Sequence, residues 1–198
     1  MTDNRSLRRV LSFALCLTLV ITAAVFAYGA VRKIIYPQKY SELVERYSEQ
    51  FGVDESLVYA VIYTESGFDS GARSDVGAIG LMQIMPETFD WLQTKLRPET
   101  PLEADDLYDP EVNIRYGVFF LSLLREEFGC DRLAIAAYHA GRGSVNSWIS
   151  NNLVPSQGCE LSDIPTSDTG HYVSKVEKAR GVYLDIYYSD KISVERNV

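Results

Sequence analysis

Apolar residues recur every three or four positions through most of the chain after position 40, which predicts a series of amphipathic helices. The first helix covers about Tyr40 to Phe51 and ends at Gly52, a typical helix-terminating residue. Asp54 is a suitable N-cap for the second helix, which runs to Glu65. The next segment, Phe68–Gly80, is rich in Gly, Ser and Asp, so it predicts a loop.

Clear helix-start signals follow in the second half of the chain. Pro86 favours a helix start, and Asp109-Pro110-Glu111 combines an N-cap, a first-turn proline and a first-turn acid. The helix that begins there should be the longest of the domain and run to about Phe128, and Asp131 should cap the next one. The helix capped by Asp131 should end at Gly141, and the remaining predicted elements are a shorter helix around Val145–Ile149, a last helix over about Asp168–Tyr188, and loops over Pro98–Asp106 and Asn151–Ser167.

The short apolar run Ile79–Met85 fits either a strand or a buried helical turn, because periodicity does not separate the two at this length. The predicted fold class is therefore all-α, with at most a small β element.

Glu65 has an unusual position for a charged residue. Val58, Val61 and Ile62 precede it at helical spacing, so a helix places its carboxyl on the apolar face. Burial disfavours the charged form and raises the pKa, and the negative end of the helix dipole acts in the same direction. A carboxyl that stays protonated near neutral pH can serve as a general acid. The alternative is an exposed Glu at a frayed helix end.

The first 36 residues form a separate segment. Met1–Arg9 contains three Arg residues, and Val10–Val31 then contains no charged residue. This run can form roughly 33 Å of helix, which matches the apolar thickness of a bilayer. We predict a retained transmembrane helix within residues 1–36, with a cytoplasmic N-terminus, followed by a folded domain over 37–198. A cleaved signal peptide is the alternative, because small residues around Ala27 and Gly29 fit a cleavage site.

The two segments differ in charge. Five basic residues against Asp3 give the first 36 residues a net charge of +4, so the overall −8 leaves −12 for the rest. An acidic domain argues against nucleic acid as a partner, because phosphate binding needs basic patches. The 13 Tyr, 8 Phe and 2 Trp residues supply aromatic surfaces suited to a glycan.

Few residues are suited to hold a metal ion. The chain has only His139 and His171, and no Cys/His grouping has metal-ligand spacing, so we expect neither a metal nor a cofactor. Cys16 lies in the predicted span. Cys130 and Cys159 either pair in a disulfide outside the membrane or remain buried free thiols.

Three sequence blocks indicate a family. They are Glu65-Ser66-Gly67-Phe68, Gly80-Leu81-Met82-Gln83-Ile84-Met85-Pro86 and Ala137-Tyr138-His139-Ala140-Gly141. In this order they resemble the lytic transglycosylases of the soluble-lytic type, which share a goose-type lysozyme fold. The resemblance extends from about Tyr40 to Tyr187, and it implies peptidoglycan glycan strands as the substrate.

In that family one Glu performs both proton transfers, and Glu65 occupies its position. It first protonates the glycosidic oxygen between N-acetylmuramic acid and N-acetylglucosamine. It then takes the proton of the C6 hydroxyl, which attacks C1 and closes a 1,6-anhydro ring. This internal nucleophile removes the need for the second carboxylate of ordinary glycosidases. Asp69 and Asp75, both in the loop, are interpreted as solvated or turn-capping residues.

The resemblance also implies substrate-binding residues. Gln83 would hydrogen-bond a sugar, Met85 would line the groove, and Ser74 matches a groove serine. Met82 is expected in the core. Tyr138 would reach the catalytic Glu and help to set its proton, and the alternative is a buried tyrosine that braces a helix.

Two blocks depart from the family pattern. His139 stands where Asn is usual, which puts the local glycan contact in doubt and could add pH dependence. Near the C-terminus, Thr166, Asp168 and Gly170 replace an aromatic residue, a Glu and an Arg, whereas Tyr172 is retained. Tyr172 is therefore expected at the site, and the replacements are expected to affect substrate preference.

The predicted function is a membrane-anchored peptidoglycan lytic transglycosylase whose catalytic domain lies on the cell-wall side. A muramidase or chitinase-like hydrolase that uses water is the enzymatic alternative. A catalytically idle glycan-binding module is the alternative of another class. A cleaved signal would instead give a secreted protein, and the sequence indicates no protein partner.

Overall fold

The computed structural model describes residues 4–156 and 159–189. The chain divides into two compact units, Met1–Pro37 and Gln38–Val198. The first contains one long helix, and the second contains every other regular element of the described residues.

The helix of the first unit, α1, spans Asn4–Ile35. Its segment Leu11–Ile35 has a mean hydropathy of 2.2, and it is long and apolar enough to cross a bilayer. Large apolar side chains such as Phe13 and Phe26 are exposed along it. The helix therefore extends a little beyond the predicted apolar run at its C-terminal end, where Arg32 and Lys33 form the last turn.

In the second unit, all regular elements of the described residues are helices. Its α-helices are α2 (Ser41–Phe51), α3 (Glu55–Glu65), α4 (Pro86–Leu96), α5 (Pro110–Phe128), α6 (Asp131–Ala140), α7 (Arg142–Ser150) and α8 (Ser167–Tyr187). Short 3₁₀ turns lie at Ala104–Tyr108, which begins in the predicted loop Pro98–Asp106 and runs two residues past it, and at Leu161–Asp163, inside the predicted loop Asn151–Ser167. Among the described residues, β structure is limited to isolated bridges of Ile79 with Arg73 and Ile84. The predicted all-α class with a small β element is confirmed.

Capping signals explain where α3 and α5 begin and where α2 and α5 end. The Asp54 carboxylate accepts a hydrogen bond of 2.7 Å from the Ser56 N–H at the start of α3. The Asp109 carboxylate accepts hydrogen bonds from the first two free N–H groups of α5, at 2.8 and 3.1 Å. Gly52 and Gly129 end α2 and α5 in left-handed conformations.

Two predictions about the helices were wrong. Cys130, not Asp131, caps α6, and its Sγ accepts the Leu133 N–H at 3.4 Å. The Asp131 carboxylate instead binds the guanidinium groups of Arg125 and Arg180, both at 2.6 Å, because charge-assisted pairs are stronger than a neutral cap. The longest helix of this unit is α8, with 21 residues, whereas α5 has 19.

Helix α3 is the centre of the core. Its residues from Ser56 to Ile62 are buried, and α8 packs along it, with the Tyr59 and Tyr183 rings stacked 5.3 Å apart. Because α3 is covered on nearly all sides, its buried part contains few polar side chains. Its C-terminal residue, Glu65, is thereby held at the edge of the core.

The loop between α3 and α4 is fixed by one buried side chain, Asn113 of α5. Its Oδ1 accepts the Met82 N–H at 2.7 Å, and its Nδ2 donates to the carbonyls of Ile79 and Leu107 at 2.9 and 2.8 Å. An amide can make all three bonds at once, so this polar group is satisfied in the core. Asn113 therefore determines the path of the apolar run Ile79–Met85.

Two glycines allow this close approach. A Cβ added at Gly80 would lie 2.2 Å from Asn113 Nδ2 and 2.4 Å from the Leu107 carbonyl oxygen. A Cβ added at Gly117 would lie 2.3 Å from the Met82 sulfur. Neither position has room for a side chain without movement of the loop.

The role of Gly80 can be tested with a matched pair of alanine variants. Gly80 and Gly77 both have positive φ, 78° and 96°, but an added Cβ at Gly77 meets nothing within 4 Å. Gly77→Ala should therefore lower the free energy of unfolding by about 1 kcal/mol, from backbone strain alone. Gly80→Ala should lower it by about 3 kcal/mol, because overpacking is added to the same strain. Urea denaturation measures both, and equal losses would contradict the role given to Asn113.

Candidate active site

Glu65 is the acid around which the candidate site is built. It closes α3, and its carboxyl lies mostly out of contact with solvent. Burial raises its pKa to about 7, and a hydrogen bond from Tyr172 acts in the opposite direction. A carboxyl in this state is partly protonated near neutral pH, so it can both give and take a proton.

Tyr172 of α8 is the direct partner of that carboxyl. Its hydroxyl donates to Glu65 Oε1 at 2.5 Å, and its ring is buried. Burial and the neighbouring Glu65 raise the pKa of Tyr172, so the phenol keeps its proton and remains a donor. The retained C-terminal block thus brings Tyr172 to the site, with a role that sequence reasoning had given to another tyrosine.

Tyr138 does not donate to Glu65, which corrects the expectation from its motif. Its hydroxyl donates instead to the Met82 carbonyl oxygen at 2.7 Å. The two groups are still close, because Glu65 adds to the rise in the pKa of Tyr138 that burial causes. Tyr138 therefore fixes the loop next to the acid, and Tyr172 takes the hydrogen bond because its hydroxyl is the one that reaches Oε1.

His139 packs against Tyr172 from the solvent side. The two rings are stacked with centroids 4.5 Å apart, and Nδ1 lies 3.3 Å from the Thr169 hydroxyl. Partial burial lowers the pKa of His139, and the charge of Asp168 opposes this. The neutral imidazole is thus favoured near neutral pH, and its ring supports the tyrosine that binds Glu65.

Gln83 and Ser74 make bonds within the loop. Gln83 has a left-handed backbone, with φ of 49°, and its amide nitrogen donates to the Gly80 and Ala72 carbonyls at 3.0 and 3.3 Å. Ser74 Oγ accepts the Ala78 N–H at 3.0 Å and closes a tight turn. Both residues therefore shape the loop, and their contacts with a sugar stay a prediction.

Met85 lies in a groove of about 490 Å³ beside the site. The residues lining the groove are Met85, Glu87, Thr88, Trp91, Phe120, Tyr138, His139, Ala140, Gly141 and Arg142. Met82 is fully buried and packs in the core, where it was expected. The groove therefore combines aromatic and apolar walls with a few polar groups, which is the usual composition of a ligand-binding pocket.

The other acids and the cysteines lie apart from this arrangement. Asp69 and Asp75 are exposed, and Asp69 accepts the Gly71 N–H at 2.9 Å as a turn cap. Cys130 and Cys159 are free thiols in this structure, and their pairing in a disulfide stays a prediction. Burial raises the pKa of Cys159 to about 11. Across residues 4–156 and 159–189, no three His, Cys, Asp or Glu side chains are grouped to hold a metal ion.

Known proteins share the sequence and the fold of this domain. The family described as Transglycosylase SLT domain matches residues 42–156. The chain belongs to this family. The match covers α2 to α7 and includes Glu65, Asn113 and Tyr138, whereas Tyr172 lies beyond it.

The curated proteins to which this chain is similar are longer than the chain itself. It is 33% identical over 158 residues to the soluble lytic murein transglycosylase of Escherichia coli (strain K12), covering 79% of this chain and 24% of that protein. It is 32% identical over 171 residues to the membrane-bound lytic murein transglycosylase C of Actinobacillus succinogenes, covering 75% of this chain and 48% of that protein. The chain thus spans about a quarter to a half of the length of these relatives.

Solved structures of lytic transglycosylases share the fold. The 70 kDa soluble lytic transglycosylase of Escherichia coli matches with a TM-score of 0.70 and 32% identity, over 77% of this chain and 25% of that one. The lytic transglycosylase Slt of Pseudomonas aeruginosa, in an inactive mutant with one Glu replaced by Gln, matches with a TM-score of 0.67 and 33% identity, over 77% and 25%. The lysozyme-like fold expected from the motifs is confirmed.

Sequence reasoning missed Asn113. A signal was present, because Asn113, Gly117 and Leu121 follow one another at four-residue spacing on the buried face of α5. A polar residue on such a face must find partners in the core, and here those partners are the loop carbonyls and the Met82 N–H.

The hydrogen bond from Tyr172 can be tested through the pKa of Glu65. This bond favours the ionised carboxylate, so Tyr172→Phe should raise the pKa of Glu65 above its wild-type value of about 7. Carbon NMR of the Glu side-chain carboxyls during a pH titration measures the shift.

Tyr47→Phe is the matched control for that experiment. Tyr47 also donates to a carboxylate, Glu111 Oε1, at 2.8 Å, but on α2 and α5. It should leave the Glu65 titration unchanged. An unmoved or lowered pKa in Tyr172→Phe would contradict the assigned role of the bond.

Proposed function

We propose that this chain is a peptidoglycan lytic transglycosylase that cleaves the β-1,4 bond between N-acetylmuramic acid and N-acetylglucosamine and forms a 1,6-anhydro product. The observation that carries the proposal is the partly buried Glu65, with a pKa of about 7 and a hydrogen bond from Tyr172. The relatives named lytic murein transglycosylases and the inactive Glu-to-Gln mutant of a similar enzyme support it.

In the first step the protonated Glu65 donates its proton to the glycosidic oxygen. The bond from that oxygen to C1 of the muramic acid breaks, and the leaving sugar departs with a neutral hydroxyl. Positive charge develops at C1 and the ring oxygen, as in other glycoside cleavage. Tyr172 stabilises the carboxylate that remains, because its hydroxyl donates to Oε1.

In the second step the same carboxylate acts as a base. It takes the proton of the C6 hydroxyl while that oxygen attacks C1, and the 1,6-anhydro ring closes without the addition of water. Glu65 is then protonated again and ready for another cycle. A pKa near 7 suits this double use, because both protonation states are accessible at neutral pH.

A hydrolase that uses water is the main rival. Retaining and inverting glycosidases need a second carboxylate within about 5–10 Å of the first. The influences on the pKa of Glu65 are burial and Tyr172, and no second carboxylate is among them. Asp69 and Asp75 are exposed loop residues, so the one-acid mechanism is the better supported one.

We also propose that α1 anchors the protein in the membrane, with the domain of residues 38–189 on the cell-wall side. The support is the length and hydropathy of Leu11–Ile35 and the similarity to membrane-bound lytic murein transglycosylase C. The Arg residues near the N-terminus favour a cytoplasmic start, and the substrate named above lies on the opposite side.

The reaction is tested by the mass of its products and by Glu65→Gln. Wild-type protein should release muropeptides one water lighter than hydrolytic products. Glu65→Gln should lose about 10⁴-fold or more in turnover, because one residue supplies both proton transfers. Mass spectrometry of digested peptidoglycan measures both quantities.

Glu111→Gln is the control for that variant, because Glu111 also accepts a tyrosine hydroxyl but lies outside the site. It should keep wild-type turnover, and Glu65→Gln should keep a wild-type circular dichroism spectrum. If all the products had reducing ends, the enzyme would be a hydrolase and not a transglycosylase. Substantial turnover by Glu65→Gln would show that another acid performs the proton transfers.

The anchor is tested by fractionation of cells that express the full chain. The protein should remain in the membrane pellet after a high-salt wash, since apolar insertion is insensitive to screening. Its N-terminal residues should be intact by mass spectrometry. A soluble form that begins near Tyr28 or Ala30 would show that a signal peptide is cleaved instead.

A further inference from the structure

The groove beside the candidate site ends at an unusual cation, Arg142. Its guanidinium lies 5.5 Å from the centroid of the Trp91 ring, and its Nε approaches the two carboxylate oxygens of Glu127 at 2.8 and 3.1 Å. Half of the side chain is exposed. Within the described part of the chain, the two terminal nitrogens of Arg142 make no hydrogen bond to another residue, and Arg142 is one of the residues that line the groove.

Arg142 is held in place by its neighbours. Glu127 is itself fixed by a 2.7 Å hydrogen bond from the Asn146 side chain, which keeps the carboxylate against Nε. The ring of Trp91 supports the guanidinium plane from one side. A guanidinium oriented through Nε presents its terminal nitrogens as a fork, which is the geometry that binds a carboxylate in two places.

Aromatic rings connect this cation to the candidate acid. Trp91 packs edge-on against Phe120 at 6.2 Å, and Phe120 packs against Tyr138 at 5.1 Å. Tyr138 in turn is close enough to Glu65 for its pKa to be affected. A glycan strand bound across Glu65 would therefore pass over these rings toward Arg142.

Near Trp91 two cations, Arg142 and Lys95, are set against two carboxylates, Glu87 and Glu127. Residues 37–198 carry a net charge of −12, so most of the surface repels acidic groups. At this end of the groove Arg142 and Lys95 both lie over the Trp91 ring, Lys95 at 5.7 Å. Glu87 is the opposing charge in the groove lining, and Glu127 is already paired with Arg142.

We propose that Arg142, supported by Trp91, binds a carboxylate of the peptidoglycan substrate and so selects strands that carry one. This inference rests on the proposed function. Peptidoglycan offers two sources of the group: the peptide attached to the muramic acid, and the lactyl side chain when that peptide has been removed. Chitin oligosaccharides have the same glycosidic linkage and carry no carboxylate.

Binding, not turnover, is the decisive measurement, because it separates this inference from the catalytic proposal. The full chain with Glu65→Gln would be titrated with three soluble ligands: peptide-bearing glycan strands, amidase-treated strands, and chitin oligosaccharides. Arg142→Gln in the same background should weaken binding of at least one carboxylate-bearing ligand about tenfold, the order expected for a charge-assisted pair. Chitin binding should not change. Arg142→Lys should recover part of the loss, because it keeps the charge but not the fork.

Arg46→Gln is the matched control. Arg46 is an exposed arginine that pairs with Glu111 at 3.0 Å, but it lies on α2 outside the groove. A loss confined to peptide-bearing strands would assign the carboxylate to the peptide, and a loss confined to amidase-treated strands would assign it to the lactyl group. An equal loss with chitin, no loss with any ligand, or the same loss in Arg46→Gln would overturn the inference. Binding of none of the three ligands would overturn it as well.

Discussion

The arrangement of the site depends on how one buried residue, Met82, is held. Its N–H donates to Asn113 of α5, and its carbonyl oxygen accepts from Tyr138 of α6. Its sulfur occupies the space beside Gly117, which is free because glycine has no side chain. A loop would ordinarily leave such backbone groups to water. Here both are satisfied inside the protein, so the residues on either side of Met82 have little freedom. Met85 is therefore presented to the groove by a rigid support rather than by a mobile loop.

The second constraint is the conflict between burial and ionisation at Glu65. Burial at the end of α3 raises the pKa of this carboxyl and favours its neutral form, whereas a hydrogen-bond donor lowers the pKa and favours the ionised form. In this chain burial is the larger effect, and the hydroxyl of Tyr172 moderates it. His139 stacks on Tyr172 and in turn contacts Thr169, so the ring that sets this balance is itself supported. His139 thus contributes to the site by supporting Tyr172.

Most of the fold could be predicted because its signals are local. Asp54, Asp109, Gly52 and Gly129 act on the nearest turn of a helix, and the boundaries they predict agree with the structure to about one residue. The position of Glu65 on an apolar face also follows from spacing alone. The partners within the site could not be predicted in this way, because Tyr172 follows Glu65 by 107 positions and Tyr138 follows Met82 by 56. The motif predicted Tyr138 as the partner of the acid, and only the packing of α8 against α3 brings Tyr172 to it instead.

Asp131 has a consequence for the molecule as a whole. Burial alone would raise the pKa of this carboxyl, but the bonds to Arg125 and Arg180 lower it below the usual value, so the ionised form supports the junction of α5, α6 and α8. That support is present above the ordinary pKa of an aspartate and is lost as the pH falls below it. Glu65 has the opposite linkage: its raised pKa costs on the order of 3 kcal/mol of stability as the pH rises from 4.5 to about 7. For these two carboxyls alone, the contribution to the free energy of unfolding is greatest in weak acid, where Glu65 is also protonated.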